Sequence, residues 1–163
     1  MAPSPKTFDS DDSVLDPAIK AHIASLYYAV DNKELERWGS HFTDDAELKK
    51  GATNVKCRET GLDLVELVTK SWAVVQSRDH TVYKVFPFGA NSDEVMMHGR
   101  SNNVSLDGVK STFTWAARMH FRKAEDGSVL IDKYTIIVLL SLTASLKSRI
   151  ARCERDLTMG AIN

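Results

Sequence analysis

Cysteine is scarce in this chain. It has two, Cys57 and Cys153, far apart and outside any CxxC or Cys/His cluster, which argues against structural zinc or a disulfide framework and fits a reducing cytosol. Charge of one sign is lacking too. Lys and Arg number 21 against 22 Asp and Glu, for a formal net charge of -1, and no basic stripe is present, so nucleic acid is not an expected partner. The longest apolar run, Tyr134 to Leu140, is too short to span a bilayer. The polar, acidic start MAPSPKTFDSDDS has no apolar centre of the signal-peptide kind. A soluble, cytoplasmic protein without a membrane partner is therefore expected. GxGxxG, P-loop, GxSxG and HExxH patterns are all missing, which removes support for nucleotide, serine-hydrolase and zinc-protease chemistry. Neither a metal nor a cofactor is expected.

What the chain does have is a long two-armed stretch from Val109 to Leu140. In its first arm Phe113, Trp115, Ala117, Met119 and Phe121 alternate with Thr112, Thr114, Ala116, Arg118, His120 and Arg122, the two-residue period of a strand. Glu125-Asp126-Gly127-Ser128 supplies a turn, and Val129 to Leu140, β-branched and increasingly apolar, forms the second arm. A hairpin of this length must curve to find partners. The expectation is a strongly bent sheet closed by helices on its concave side.

The rest of the chain fits that plan. Residues 1–15 are rich in Pro, Ser and Asp and are expected to form a disordered tail. Asp16-Pro17 is a helix start, and Ile19, Ile23, Leu26, Tyr27 and Val30 give that helix one apolar face ending near Asp31-Asn32. A short helix is predicted over Lys33 to His41, a loop over Phe42 to Asp45, a weak strand over Ala46 to Lys50 and a third helix over Gly61 to Gln76. Strands His80 to Phe88 and Glu94 to Leu106 precede the long hairpin, with Gly99 allowing a bend. Residues 141–163 read as a C-terminal helical tail. The fold class is α+β, with helices first, a four-stranded antiparallel meander next and a terminal helix last.

This order, together with Val30 to Trp38 (VDNKELERW), Phe42 to Leu48 (FTDDAEL), Arg78-Asp79-His80 and His120 to Gly127 (HFRKAEDG), resembles the nuclear transport factor 2-like cone fold. The nearest branch is that of SnoaL-like cyclases and scytalone dehydratase, and the resemblance covers residues 16–140. It implies a cone-shaped, strongly curved antiparallel sheet closed by N-terminal helices, and a homodimer through the open sheet face. In scytalone dehydratase-like enzymes an acid ending the first helix and a histidine opening the first long strand face one pocket. Those positions are Asp31 and His80 here. The same matching places Arg118 as a polar pocket residue and Ser101 and Asn103 on the pocket side of their strand. The chain departs from that pattern at Val30 and Lys50, where tyrosines are expected, and at Ser105, where a second histidine is expected.

The expected chemistry follows. His80, oriented by Asp31, would shuttle a proton near neutral pH, and Arg118 would hold a developing oxyanion. Tyr28, Ser101, Asn103, Trp72 and Trp38 are candidate substrate-binding residues for an apolar, polycyclic molecule. Against this, hydrophobic alternation alone turns Phe113, Trp115, Met119 and Phe121 inward and leaves Arg118, His120 and Arg122 in solvent. The resulting expectation is a cofactor-independent cyclase, isomerase or dehydratase acting on a polyketide- or terpenoid-derived intermediate. The alternatives are a non-catalytic binding or dimerisation module of the same fold, and an epoxide hydrolase-like enzyme built on Asp31, Arg118 and Asp132.

Overall fold

A computed structural model describes residues 6–51, 53–56 and 62–139 of the chain. Helix α1 (Pro17–Asp31) begins as its sequence dictates: the Asp16 carboxylate accepts the Ala18 N–H at 2.8 Å and Pro17 fills the first turn. Its predicted apolar face is buried as a unit. Helix α2 (Leu35–Gly39) is shorter than the predicted 33–41 and sets Trp38 against Phe42. Helix α3 (Leu62–Trp72) buries Leu64, Val68 and Trp72. It stops earlier than predicted, because Val75 already belongs to the next strand.

The strands are β1 (Asp9–Ser10), β2 (Phe42–Lys50), β3 (Thr53–Lys56), β4 (Val75–Pro87), β5 (Glu94–Ser105), β6 (Lys110–Lys123) and β7 (Val129–Leu139). They form one sheet in the order β1-β4-β5-β6-β7-β2-β3. Strands β4 to β7 are the predicted antiparallel meander. The sheet as a whole is mixed, since β2 pairs parallel to β7 and β1 parallel to β4. Phe42 to Asp45, expected to be a loop, opens β2, and a register shift between Phe42 and Glu47 absorbs its irregularity. There Asp45 receives two bonds from the Arg122 guanidinium, at 2.7 and 2.9 Å.

Residues 6–15 correct the expectation of a disordered tail. Asp9 and Ser10 pair with Lys84 and Val85, Leu15 joins the core, and Lys20 reaches back to Asp12 at 2.5 Å. The composition of this segment resembles that of a disordered one, but strand pairing and ion pairs to distant residues supply the order that local sequence does not. The predicted helix over 141–163 lies outside the described residues.

Curvature comes from irregularities at fixed places. The β4 to β5 pairing slips between Val82 and Lys84, and the β6 to β7 pairing between His120 and Phe121, so each strand bends and twists locally. Gly99 on β5 answers the first bend. A Cβ there would run into the Thr81 carbonyl and lie 2.7 Å from the Trp115 indole, so glycine lets the backbone and Trp115 close up.

Beneath the sheet, His22 of α1 contacts the His41 carbonyl through Nε2 at 3.0 Å and sets its ring edge-on to Phe121. Burial, and then neighbouring His41, push the His22 pKa down to about 4. The unfolded chain takes up a proton near 6.5 that the native state refuses until about 4. Native stability is thus unaffected above about pH 6.5 and declines as pH falls through that window. His22→Gln is expected to flatten this decline by about 2 kcal/mol, read as the difference between urea midpoints at about pH 7 and about pH 4.

Candidate active site

Strand alternation places Arg78 and His80, two residues apart on β4, on one side of the sheet. In register beside them on β5 stand Asn103 opposite Arg78 and Ser101 opposite His80. On β6, Ser111 pairs with Asn103, Phe113 with Ser101 and Trp115 with Gly99. Directly paired residues share a face, so all of these look inward. With Tyr27 from α1, Lys50 from the end of β2, and Tyr134 and Ile136 from β7, they line a cavity of about 660 Å³.

The buried polar centre of this cavity is the contact between Asp31 and His80. Asp31 is the last residue of α1, and its carboxylate accepts the His80 backbone N–H at 2.7 Å through Oδ2 and meets Nδ1 at 2.5 Å through Oδ1. The carboxylate is 6% exposed and the imidazole 16%. A third donor comes from the N-terminal segment: Lys6 Nζ lies 2.9 Å from Asp31 Oδ2 and also binds the His80 carbonyl at 2.9 Å and Asp79 at 2.7 Å. Burial by itself raises the Asp31 pKa, but the bonds from His80 and Lys6 outweigh it and the net shift is downward. An ionised Asp31 accepts only, so Nδ1 carries the proton and the neutral ring keeps its lone pair on Nε2. Nε2 has no hydrogen-bond partner among the described residues.

Tyr27 and Trp115 flank the His80 ring, with centroids 5.3 and 6.2 Å away. The Tyr27 and Tyr134 hydroxyls are 2.8 Å apart, and burial raises both phenol pKa values, so both remain protonated. Arg78 donates to Asn103 Oδ1 at 3.1 Å, to Ser71 Oγ at 3.3 Å and to the Ser71 carbonyl at 3.2 Å, while its guanidinium lies 4.8 Å over Trp72. Burial lowers its pKa and Asp31 acts in the opposite sense. Lys50 keeps an exposed surface, yet surrounding protein and then Arg78 hold its ammonium below the ordinary lysine range.

Of the residues selected from the sequence, His80, Asp31, Ser101 and Asn103 are brought together. Arg118 is not. Its side chain is 60% exposed and ion-paired with Glu94. The register explains the error: Arg118 pairs with Met96, whereas Ala117 pairs with Met97 and Trp115 with Gly99, so with Ser101 inside, Arg118 must be outside. Tyr28 also misses the cavity, its ring facing the Arg37 guanidinium at 5.1 Å, and Tyr27 lines it instead. Trp38 packs on Phe42 and Trp72 lies beneath Arg78, neither being a lining residue. Asp132 is engaged with His120 at 2.6 Å and Arg122 at 3.2 Å, so Asp31, Arg118 and Asp132 do not share a cavity. Arg78, Lys50 and Tyr27 are the lining residues that Arg118 and Tyr28 displaced in the sequence reading. Arg78 was signalled by its two-residue spacing from His80.

Among the described residues, no three His, Cys, Asp or Glu side chains gather as metal ligands. The Asp31 to His80 contact joins helix α1 to a curved meander, and this arrangement is the nuclear transport factor 2-like cone fold. Solved structures that share it include a candidate aromatic ring hydroxylase from Novosphingobium aromaticivorans, 22% identical over 77% of this chain and 90% of that one, with a TM-score of 0.64. A hexachlorocyclohexane dehydrochlorinase, LinA-type3, from Novosphingobium barchaimii is 21% identical over 76% and 88%, at 0.59. A candidate scytalone dehydratase from Novosphingobium aromaticivorans is 10% identical over 76% and 83%, at 0.61. At these identities the likeness establishes the fold. No protein-family description and no curated protein matches the sequence.

Asp31→Asn removes a buried charge that accepts three donors, and is expected to lower stability by about 1–3 kcal/mol at neutral pH. Because the native Asp31 pKa is depressed, its contribution is present above the unfolded carboxylate value of about 4 and is lost as pH falls through the native value. The gap between wild type and Asp31→Asn should therefore close below about pH 4 in thermal melts.

Proposed function

We propose that this protein is a cofactor-independent enzyme that moves a proton on carbon, catalysing isomerisation, cyclisation or elimination of an apolar cyclic substrate, polyketide- or terpenoid-derived. The observation that supports this most directly is the His80 ring, fixed by Asp31 as the Nδ1–H tautomer and presenting Nε2 to an aromatic cavity. In the step so defined, Nε2 takes a proton from a carbon next to a carbonyl. The C–H electron pair forms a C=C bond as the carbonyl π pair moves onto its oxygen, and the imidazolium so formed stays paired with Asp31. Return of the proton to another carbon gives isomerisation, and expulsion of a β-substituent gives elimination.

The donor for the developing oxyanion is the Ser101 hydroxyl, which is directly across the strand pair from His80 at a Cβ spacing of about 5 Å. Ser101 is 7% exposed, and its oxygen already accepts from Asn103 at 3.3 Å, so its proton is free to be given. The two protonated phenols of Tyr27 and Tyr134 complete the wall. The names of two structural neighbours, a dehydrochlorinase and a candidate dehydratase, are both those of eliminations, which supports the reading. Homodimerisation through the open sheet face and a cytoplasmic location belong to the same proposal. The exposed Tyr83, Phe86 and Phe88 on the outer side of β4 and just beyond it support the first.

The test is deuterium incorporation into 2-tetralone in heavy water, followed by proton NMR. Wild type is expected to accelerate exchange, and His80→Asn to lose about 10²–10⁴-fold of that rate. Exchange by wild type no faster than buffer, or unchanged by His80→Asn, would leave a binding module of the same fold.

A further inference from the structure

The cavity is rich in hydrogen-bond donors and in positive charge, and among the described residues no carboxylate lines it. Arg78 and Lys50 both line it, and they repel each other. Neither forms an ion pair with a carboxylate among the described residues. Asp31 accepts from His80 and Lys6 and feels Arg78 only at a distance. Of the five N–H groups of a guanidinium, Arg78 spends three, all on neutral oxygens of Asn103 and Ser71. That leaves one N–H on each terminal nitrogen. A half-buried guanidinium held only by neutral acceptors, with a second cation beside it, is unfavourable unless an anion joins them. Trp115, which also lines the cavity, is 4% exposed, and its buried Nε1–H has no acceptor among the described residues. The lining also includes the apolar side chains of Val75, Phe113, Ile136 and Val138.

We infer that the substrate of this cavity is a carboxylate on a flat apolar body, its carboxylate seated between Arg78 and Lys50 and its hydrocarbon against Phe113, Trp115 and Ile136. This deepens the proposed proton transfer at His80 and rests on that reading only for the fate of the bound molecule. A carboxylate is the anion assigned; a phosphate, whose charge the same two cations would also balance, is the outcome that titration with 2-naphthyl phosphate separates. The geometry also sets where the chemistry occurs. Arg78 and His80 are two residues apart on one strand, about 7 Å between Cα atoms. The carbon that loses its proton is therefore several bonds from the carboxylate, on the ring system.

The experiment is calorimetric titration with 2-naphthoate and with its uncharged counterpart 2-naphthamide. Wild type is expected to bind the carboxylate at least about tenfold more tightly than the amide, as charge-assisted bonds to Arg78 and Lys50 require. Arg78→Gln and Lys50→Gln should each erase most of that preference while leaving amide binding in place. His80→Asn should keep the preference, so a failure of the proton-transfer reading in the exchange assay remains distinguishable from a failure here. Lys50 has an exposed surface, and Lys50→Gln carries the test if Arg78→Gln does not fold. Equal affinity for acid and amide, a preference that survives Lys50→Gln, or tighter binding of 2-naphthyl phosphate than of 2-naphthoate would each overturn the assignment.

Discussion

The Asp31 carboxylate is the point on which both fold and site depend. It ends helix α1 and is nine-tenths buried, so by itself it would be costly. Three donors from two separate segments satisfy it: the His80 backbone N–H, the His80 ring and the Lys6 ammonium. The backbone bond pins the helix end to the middle of β4, the ring bond selects the tautomer, and the ion pair draws the N-terminal segment across the sheet edge. One charge thereby couples tertiary structure to the protonation state of the only histidine lining the cavity among the described residues.

The second constraint is parity. In an antiparallel sheet, fixing one residue inward fixes its partners on every neighbouring strand. Ser101 inside places His80, Phe113 and, one step along, Trp115 and Arg78 inside as well. Gly99 and the slip at Tyr83 then bend the strands around Trp115, so the same register that buries the core lower down opens a cavity near its upper end. Arg118, His120 and Arg122 are left on the convex side, where they contact Glu94, Asp132 and Asp45.

Much of this is legible in the sequence because it is local. The Asp16-Pro17 cap, the spacing of Ile19, Ile23 and Leu26, the alternation from Phe113 to Phe121 and the Asp126-Gly127 turn each carry their physics within a few residues, and Gly127 adopts the left-handed φ of 80° that such a turn needs. The Asp31 and His80 pairing came from family resemblance, since nothing local joins residues 49 apart. Arg118 failed because the resemblance was allowed to override an alternation that already pointed it outward. Lys6 went unseen for a different reason: its partners Asp31, Asp79 and His80 are all distant in sequence, the last two more than 70 positions away, and Pro, Ser and Asp around it carry the composition of a disordered tail. Arg78 needed only the two-residue period applied from His80.

The central claim is that Asp31 holds His80 with its proton on Nδ1 and its lone pair on Nε2 facing the cavity. Nitrogen-15 NMR of the histidine rings, recorded where imidazoles are neutral and assigned with His80→Asn, reads that tautomer directly. The account predicts a His80 signal with a protonated Nδ1 and a bare Nε2, reverting toward the mixture of free histidine in Asp31→Asn. A His80 ring protonated on Nε2, or one indifferent to Asp31→Asn, would contradict it.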